Sequence, residues 1–208
     1  MARQISPVCR LCRREGTKLF LKGTRCDTPK CAFERRESPP GMTTSRRGKP
    51  TEYALRLREK QKVKRYYGVM ERQFRNYFEH AERTKGHTGD ALMVLLERRL
   101  DNIIARLGLA QSRAQARLMV THCHITVNGR LLNIPSYLVR AGDVIRIKAR
   151  TKSQTLAQAN RAAHGREVPD FLSLSESPEF EGHVLRMPEP ADVSIPAKTQ
   201  LIVELCSK

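Results

Sequence analysis

Residues 100–130 read LDNIIARLGLAQSRAQARLMVTHCHITVNGR, and a change of period inside this stretch decides the fold class. Its first part continues an apolar series that begins upstream. Leu92, Leu95, Leu96, Leu100, Ile103, Ile104 and Leu107 recur at helical spacing, so 90–107 reads as a helix. Thr88 or Asp90 can cap its start, and Gly108 stands where a left-handed residue ends a helix. A second short helix opens at Ser112, with Gln115 in the capping-box position. From Ile125 the period becomes that of a strand, because Ile125 and Val127 flank Thr126. Asn128-Gly129 then supplies the two residues tolerant of positive φ that a tight hairpin turn needs, and Leu131 and Leu132 begin the return. Two helices followed by a hairpin predict an α+β domain with two short helices and a small, mainly antiparallel sheet.

Working outward, Gly142-Asp143 marks a turn before a strand at 144–148, and 154–163 reads as a helix. Residues 167–196 are rich in acids and prolines and read as loop, before a last strand at Leu201-Ile202-Val203-Glu204-Leu205. Toward the N-terminus, Met70, Phe74, Tyr77, Phe78 and Ala81 define an amphipathic helix closed by Lys85-Gly86-His87. Before it, Thr51 opens a strongly basic helix that Gly68 ends. Ser38-Pro39-Pro40-Gly41 breaks the chain ahead of a basic loop, 42–50. These boundaries divide the chain into a segment at 1–45, a helical domain at 46–97 and a third domain at 98–208 that carries the C-terminal strand. Part of 153–200 is available to complete the helical domain.

The first segment holds Cys9-x2-Cys12-x13-Cys26-x4-Cys31. Two close pairs at this separation suit one structural Zn²⁺ held by four thiolates, each pair reaching the ion from a single bend. Arg10, Arg13, Arg14, Arg25 and Lys30 beside the ligands offset the charge of such a centre. A segment this short buries too little to fold alone, and metal binding is the usual substitute. An iron–sulfur cluster and incidental free thiols remain as alternatives, whereas a catalytic zinc would need an open position that four cysteines do not leave. Cys123 and Cys206, remote in sequence, read as small buried hydrophobes.

Charge points to the partner. The 208 residues carry 39 Lys and Arg against 21 Asp and Glu, a formal net charge of +18. Residues 1–88 hold 23 basic side chains against 9 acidic, 98–152 hold 11 against 2, and 153–208 hold 5 against 8. Such segregation implies basic surfaces that neutralise phosphates and a tail that faces protein or solvent. Aromatics at 5 % and the lack of Trp argue against a large base-stacking platform and favour recognition of RNA shape and backbone. In 98–152 the candidate contacts are Arg98, Arg99, Arg113, Gln115, Arg117, His122, His124, Asn128, Arg130, Lys148, Arg150 and Lys152. The N-terminal half adds Arg10, Arg13, Arg14, Arg35 and Arg36, and its helices add Arg58, Lys60, Lys62, Lys64, Arg65, Arg72 and Arg75. No apolar run is long enough to span a bilayer, and no signal peptide opens the chain, so a cytoplasmic address is expected.

Several of these stretches resemble one family. LDNIIARLG at 100–108, SRAQAR at 112–117, HITVNGR at 124–130 and NIPSY at 133–137 resemble the S-four RNA-binding domain. VCRLCRREG at 8–16, LREKQKV at 57–63, ERQFR at 71–75 and LIVEL at 201–205 extend the resemblance to the bacterial ribosomal S-four family along nearly the whole chain. It implies a structural constituent of the small ribosomal subunit, and no enzyme, that binds 16S rRNA early in assembly. It further implies contact with small-subunit protein S-five and neighbouring proteins, support of translational accuracy, and a place beside mRNA where it enters the subunit. Some members also repress their own messenger. Arg46, Arg47 and Lys49 would face mRNA, although the loop around them departs from the family's usual Gln-His-Gly. Cys123 also stands where the family often has Gly.

Two other functions fit parts of the sequence. An RNA-modifying enzyme with an appended S-four domain, such as a pseudouridine synthase, needs a second, catalytic domain, and the residues after Lys152 carry no nucleophile–base set. A zinc-dependent DNA regulator would use the basic helix after Thr51 to read base edges.

Overall fold

The computed structural model describes residues 4, 6–36, 38–42, 49–163, 167–175 and 180–207. In chain order its helices begin with α1 (Cys9–Glu15), α2 (Ala32–Arg35), α3 (Glu52–Tyr66), α4 (Glu71–Glu82) and α5 (Thr88–Glu97). They continue with α6 (Leu100–Arg106), α7 (Arg113–Thr121), α8 (Thr151–Ala162) and α9 (Thr199–Cys206). The strands are β1 (Ile125–Val127), β2 (Arg130–Leu131), β3 (Val144–Ile147), β4 (Leu172–Ser175) and β5 (Glu181–Val184). Helices and a small antiparallel sheet make the α+β class expected from residues 100–130. The chain forms two compact units, Met1–Met93 with Ser194–Lys208, and Val94–Val193.

In the first unit α3 is the central element. Thr51 caps it, its hydroxyl accepting from the Ala54 N–H at 3.3 Å, and Gly68 at φ +64° turns the chain away. The helix packs against α1 and α9. On α4, Phe74, Tyr77, Phe78 and Ala81 are buried, as their spacing predicts. One expectation fails here: 201–205 is not a strand but the middle of α9, and it belongs to this unit instead of the domain from 98 onward. An Ile-Val run this short cannot choose between helix and strand by periodicity. Packing decides, because a helix buries Ile202 completely while Glu204 accepts from Arg56 on α3 at 2.7 Å. Tyr66 and Ser194 share a hydroxyl hydrogen bond, and the Lys198 N–H donates to Glu59 at 3.1 Å, which ties the C-terminal stretch to α3 at further points.

In the second unit the sheet order is β2-β1-β3-β5-β4, every pair antiparallel. The hairpin is the one expected. Asn128 at φ +50° and Gly129 at +77° form its turn, and Val127 pairs with Arg130. Ile125, Val127, Ile145 and Ile147 share one core with Leu100, Ile103 and Ile104 of α6, with Leu107 just after it, and with Ala116, Met119 and Val120 of α7. Ser112 caps α7 through the Gln115 N–H at 3.3 Å, and the Gln115 side chain reaches back to the Gln111 N–H at 2.8 Å.

Two departures from the sequence reading stand out. The apolar series of 90–107 is two helices, not one. At Arg99 (ψ +135°) the backbone becomes extended and bridges Leu138. The Arg98 carbonyl accepts from Val139, and the Leu100 N–H donates to the Tyr137 carbonyl at 2.9 Å, so the strand-like segment takes the bonds that would have continued the helix. The second departure is a hairpin, β4–β5, inside the stretch read as loop. Its alternation is short and interrupted by Gly182, yet that glycine is required. A Cβ there would stand 2.5 Å from a methyl of Leu107.

Candidate nucleic-acid interface and cysteine cluster

The basic residues of the second unit separate into two sets. The first is turned inward. Arg99 is fully buried, and its guanidinium forms a two-point pair with Asp101 at 2.5 and 3.0 Å. Arg117 lies 3.6 Å from the same carboxylate. Arg113 donates to Asn102 at 2.8 Å, while Asn102 donates to the buried Glu97 carboxylate at 2.6 Å, and Arg106 approaches that carboxylate at 3.5 Å. These side chains bind α6 to α7 across the kink. Arg99, expected at the RNA surface, is instead part of the core, because a buried guanidinium persists only when paired. Asn128 is also occupied in folding. Its amide donates to Asp143 at 2.8 Å and its carbonyl accepts from the Val144 N–H at 2.9 Å, which locks the hairpin turn. Gln115 is held likewise, by Gln111 and Asn160.

The second set faces water. Arg130 on β2, Lys148 after β3, and Arg150 and Lys152 at the start of α8 are exposed. Among the described residues none of the four is paired with an acid. The Lys148 N–H donates to the His124 carbonyl at 2.8 Å, which brings Lys148 to the end of α7, while Arg130 lies at the turn end of the hairpin opposite Val127. His122, exposed, and His124, half-buried, lie with ring centroids 6.4 Å apart and planes 19° from parallel. Burial pushes the His124 imidazole below its ordinary pKa, and the fields of His122, Arg150 and Lys148 push it further. Arg98, half-buried, donates to the Val139 carbonyl at 3.2 Å, and burial lowers its guanidinium pKa.

Cys123 sits between these histidines at φ +58° and is half-exposed, not the buried hydrophobe its composition suggested. The left-handed conformation closes α7, with the Cys123 N–H on Val120 and the His124 N–H on Met119. Glycine adopts it freely and a side chain does not, so Cys123→Gly is expected to stabilise the second unit by about 0.5–1 kcal/mol net of glycine's unfolded-state entropy. Urea unfolding measures this. A loss of stability would show that the thiol's packing outweighs the strain.

The first unit is less free in its cations than its composition implies. On α3, Arg58 meets the buried Glu15 carboxylate at 3.3 Å and Arg65 pairs with the same oxygen. Burial raises the Glu15 pKa against the opposing pull of these arginines. Lys60, itself buried, and Lys64 hold Glu71 at 2.5 and 3.0 Å. Burial would raise Glu71, but the two ammonium hydrogen bonds outweigh it and bring its pKa down to about 2. Lys62 pairs with Glu59 at 2.6 Å. Arg13 donates to the Ser38 carbonyl at 2.8 Å and Arg14 to that of Pro40 at 3.5 Å. Arg10, Arg35, Arg36, Lys49, Arg72 and Arg75 are exposed. Arg46 and Arg47 lie outside the described residues. Of the acids that organise the cations of the chain, Glu15 escapes a sequence reading because its partners Arg58 and Arg65 are remote, whereas Glu71, Glu97 and Asp101 draw mostly on residues within about a dozen positions.

Cys12, Cys26 and Cys31 are buried and Cys9 is half-buried. Among the described residues no group of three or more His, Cys, Asp or Glu side chains is arranged to hold a metal ion. The thiols are nevertheless neighbours. Burial pushes the Cys12 thiol up, a backbone hydrogen bond from Leu19 opposes this, and the charges of Cys26, Cys9 and Cys31 raise it further. Cys26 behaves in the same way, with the Lys22 N–H donating to its sulfur at 3.4 Å. The sulfurs of Cys12 and Cys26 accept backbone N–H bonds, a donor environment that suits a thiolate held by a cation.

Comparison with known proteins agrees with this geometry. The family model described as "Ribosomal protein S4/S9 N-terminal domain" matches residues 3–97, and the one described as "S4 domain" matches 98–145. The chain is 54 % identical to "Small ribosomal subunit protein uS4A" of Symbiobacterium thermophilum, over 100 % of both. The chain belongs to the uS4 family. It is 54 % identical to the uS4 of Thermodesulfovibrio yellowstonii and 52 % to that of Thermus thermophilus, again over the full length of each. Members of this family are structural ribosomal proteins, not enzymes, and the absence of catalysis expected from the sequence agrees with membership. The S4-domain match contains α6, α7 and the β1–β2 hairpin, where the period change was read. No described helix is long and apolar enough to cross a membrane.

Proposed function

We propose that this protein is a primary 16S rRNA-binding constituent of the small ribosomal subunit, contacting RNA phosphates through Arg130, Lys148, Arg150 and Lys152 with the adjoining histidines. The observation that carries the reading is the exposed cluster of cations around the ends of α7, β3 and the start of α8, unpaired with acids among the described residues. A surface of this kind, poor in aromatics, suits RNA backbone and shape. Arg10, Arg35, Arg36, Lys49, Arg72 and Arg75 offer further phosphate contacts from the first unit. The nearly neutral stretch from 153 onward suits a protein neighbour, and family likeness supports small-subunit protein S-five in that role. Support of translational accuracy, proximity to incoming mRNA, repression of its own messenger and a cytoplasmic address rest on the same likeness.

Within the proposed role Cys9, Cys12, Cys26 and Cys31 hold one structural Zn²⁺. The ion would supply the cohesion that 1–45 lacks, and no chemistry. Filter binding of the full-length chain to 16S rRNA and to duplex DNA at equal salt tests the main reading. RNA should bind at least about 10³-fold more tightly, the usual margin of specific over non-specific association. Equal affinities would exclude it.

A further inference from the structure

The two histidines at the end of α7 have surroundings that a simple cationic patch does not need. We propose that His122 and His124, with Lys148 and Arg150, form a phosphodiester site in which RNA binding is coupled to proton uptake by the imidazoles. The inference rests on the RNA-binding reading and deepens it.

Geometry supports it from each element that meets the pair. His122 is the last residue of the α7 turn, and His124 leads into β1. Lys148 follows β3, and its N–H is bound to the carbonyl of His124, which precedes the neighbouring strand β1. Arg150 precedes α8, and Lys152 and Ser153 lie in its first turn. Around His124 the charged or titratable groups are His122, Arg150 and Lys148, and Ser153 supplies one hydroxyl. In the free protein burial disfavours a charge on His124, and the neighbouring His122, Arg150 and Lys148 add to the effect. A phosphate oxygen reverses that balance, because an anion beside an imidazole favours its charged form.

Ser153 makes the change possible without rearrangement. Its hydroxyl is buried and lies 2.9 Å from Nδ1 of His124. A hydroxyl can donate to a bare ring nitrogen or accept from a protonated one by rotating. Both charge states of His124 thus keep the same partner, and Nε2 remains for the ligand.

The sign follows from linkage. Burial and neighbouring cations hold the His124 imidazole below its ordinary pKa in the free protein, and an adjacent phosphate would raise it. Affinity is therefore largest at low pH and falls as pH rises through the bound-state pKa, by roughly tenfold per pH unit for each proton taken up. The experiment is titration calorimetry of the full-length chain with a 16S rRNA transcript between pH 5.5 and 8. It uses two buffers of different ionisation enthalpy, which report protons taken up directly. Affinity should weaken over that range with an uptake of about one proton near pH 6.5–7. His122→Gln with His124→Asn, which leaves a polar but non-titrating group near Ser153, should flatten the profile while weakened binding persists. Lys148→Gln should move the uptake to higher pH, because a like charge has been removed from the free state. A flat profile in the wild-type chain, or one unchanged in the double variant, overturns the proton coupling while leaving RNA binding intact. No saturable binding at any pH overturns the RNA-binding reading and this site with it.

Discussion

Removing the zinc proposed at Cys9, Cys12, Cys26 and Cys31 is expected to unfold the N-terminal segment while leaving the second unit folded. The segment has little else to hold it. Its buried apolar residues are few, Leu19 and the cysteines themselves, and its helices α1 and α2 are too short to persist alone. A structural zinc contributes apparent binding free energy of about 10–16 kcal/mol at neutral pH, which is then folding free energy for the segment. Elemental analysis should give about one zinc per chain, as a single four-thiolate centre requires. Cys9→Ser or Cys26→Ser should release it, and amide exchange should then rise across 8–36 to near the unprotected rate. The boundary of that change is itself informative. Glu15 is tied to Arg58 and Arg65, so protection lost in α1 should reach the adjoining face of α3 and spare 94–193. Full metal occupancy in both serine variants would remove the ligand set from consideration.

The second large effect is on RNA. Replacing Lys148, Arg150 and Lys152 together with Gln is expected to lower the salt dependence of rRNA binding by about 2–3 in log–log slope, one unit or slightly less per phosphate contact. Near physiological salt, the loss of three contacts should weaken affinity by about 10²-fold or more. The same substitutions should leave stability nearly unchanged, because the three side chains are exposed and pair with no acid among the described residues. Arg113 and Arg117 make the opposite control. Their guanidiniums serve Asn102 and Asp101, so Ala at either should cost stability as well as affinity and cannot isolate a phosphate contact. An unchanged salt slope in the triple variant would place the interface elsewhere on the chain.

The local features were legible in the chain. Thr51, Ser112, Gly68 and Gly108 marked helix ends because capping bonds and left-handed backbone are decided by a few consecutive residues. Asn128-Gly129 specified its turn for the same reason, and the buried face of α4 followed from its period. The excess of Lys and Arg pointed to a polyanionic partner in the same way.

What the chain alone left open was decided by contacts between distant residues. The series 90–107 satisfies a single helix in every local respect. It breaks at Arg99 because residues 135–139 supply backbone partners there, and because Asp101 neutralises a guanidinium that would otherwise not be buried. The Ile-Val run of 201–205 is a helix because α3 offers a face for Ile202 and an arginine for Glu204. Charge followed the same rule. Sequence counts Lys60, Lys64, Arg65 and Arg99 as equal to Lys148 and Arg150, whereas the fold gives the first four acidic partners and leaves the others to solvent. The sequence by itself determined the α+β class, the local turns and the chemistry of the partner. Only the tertiary structure decided which cations are available to it, because an ion pair depends on proximity in space and not on separation along the chain.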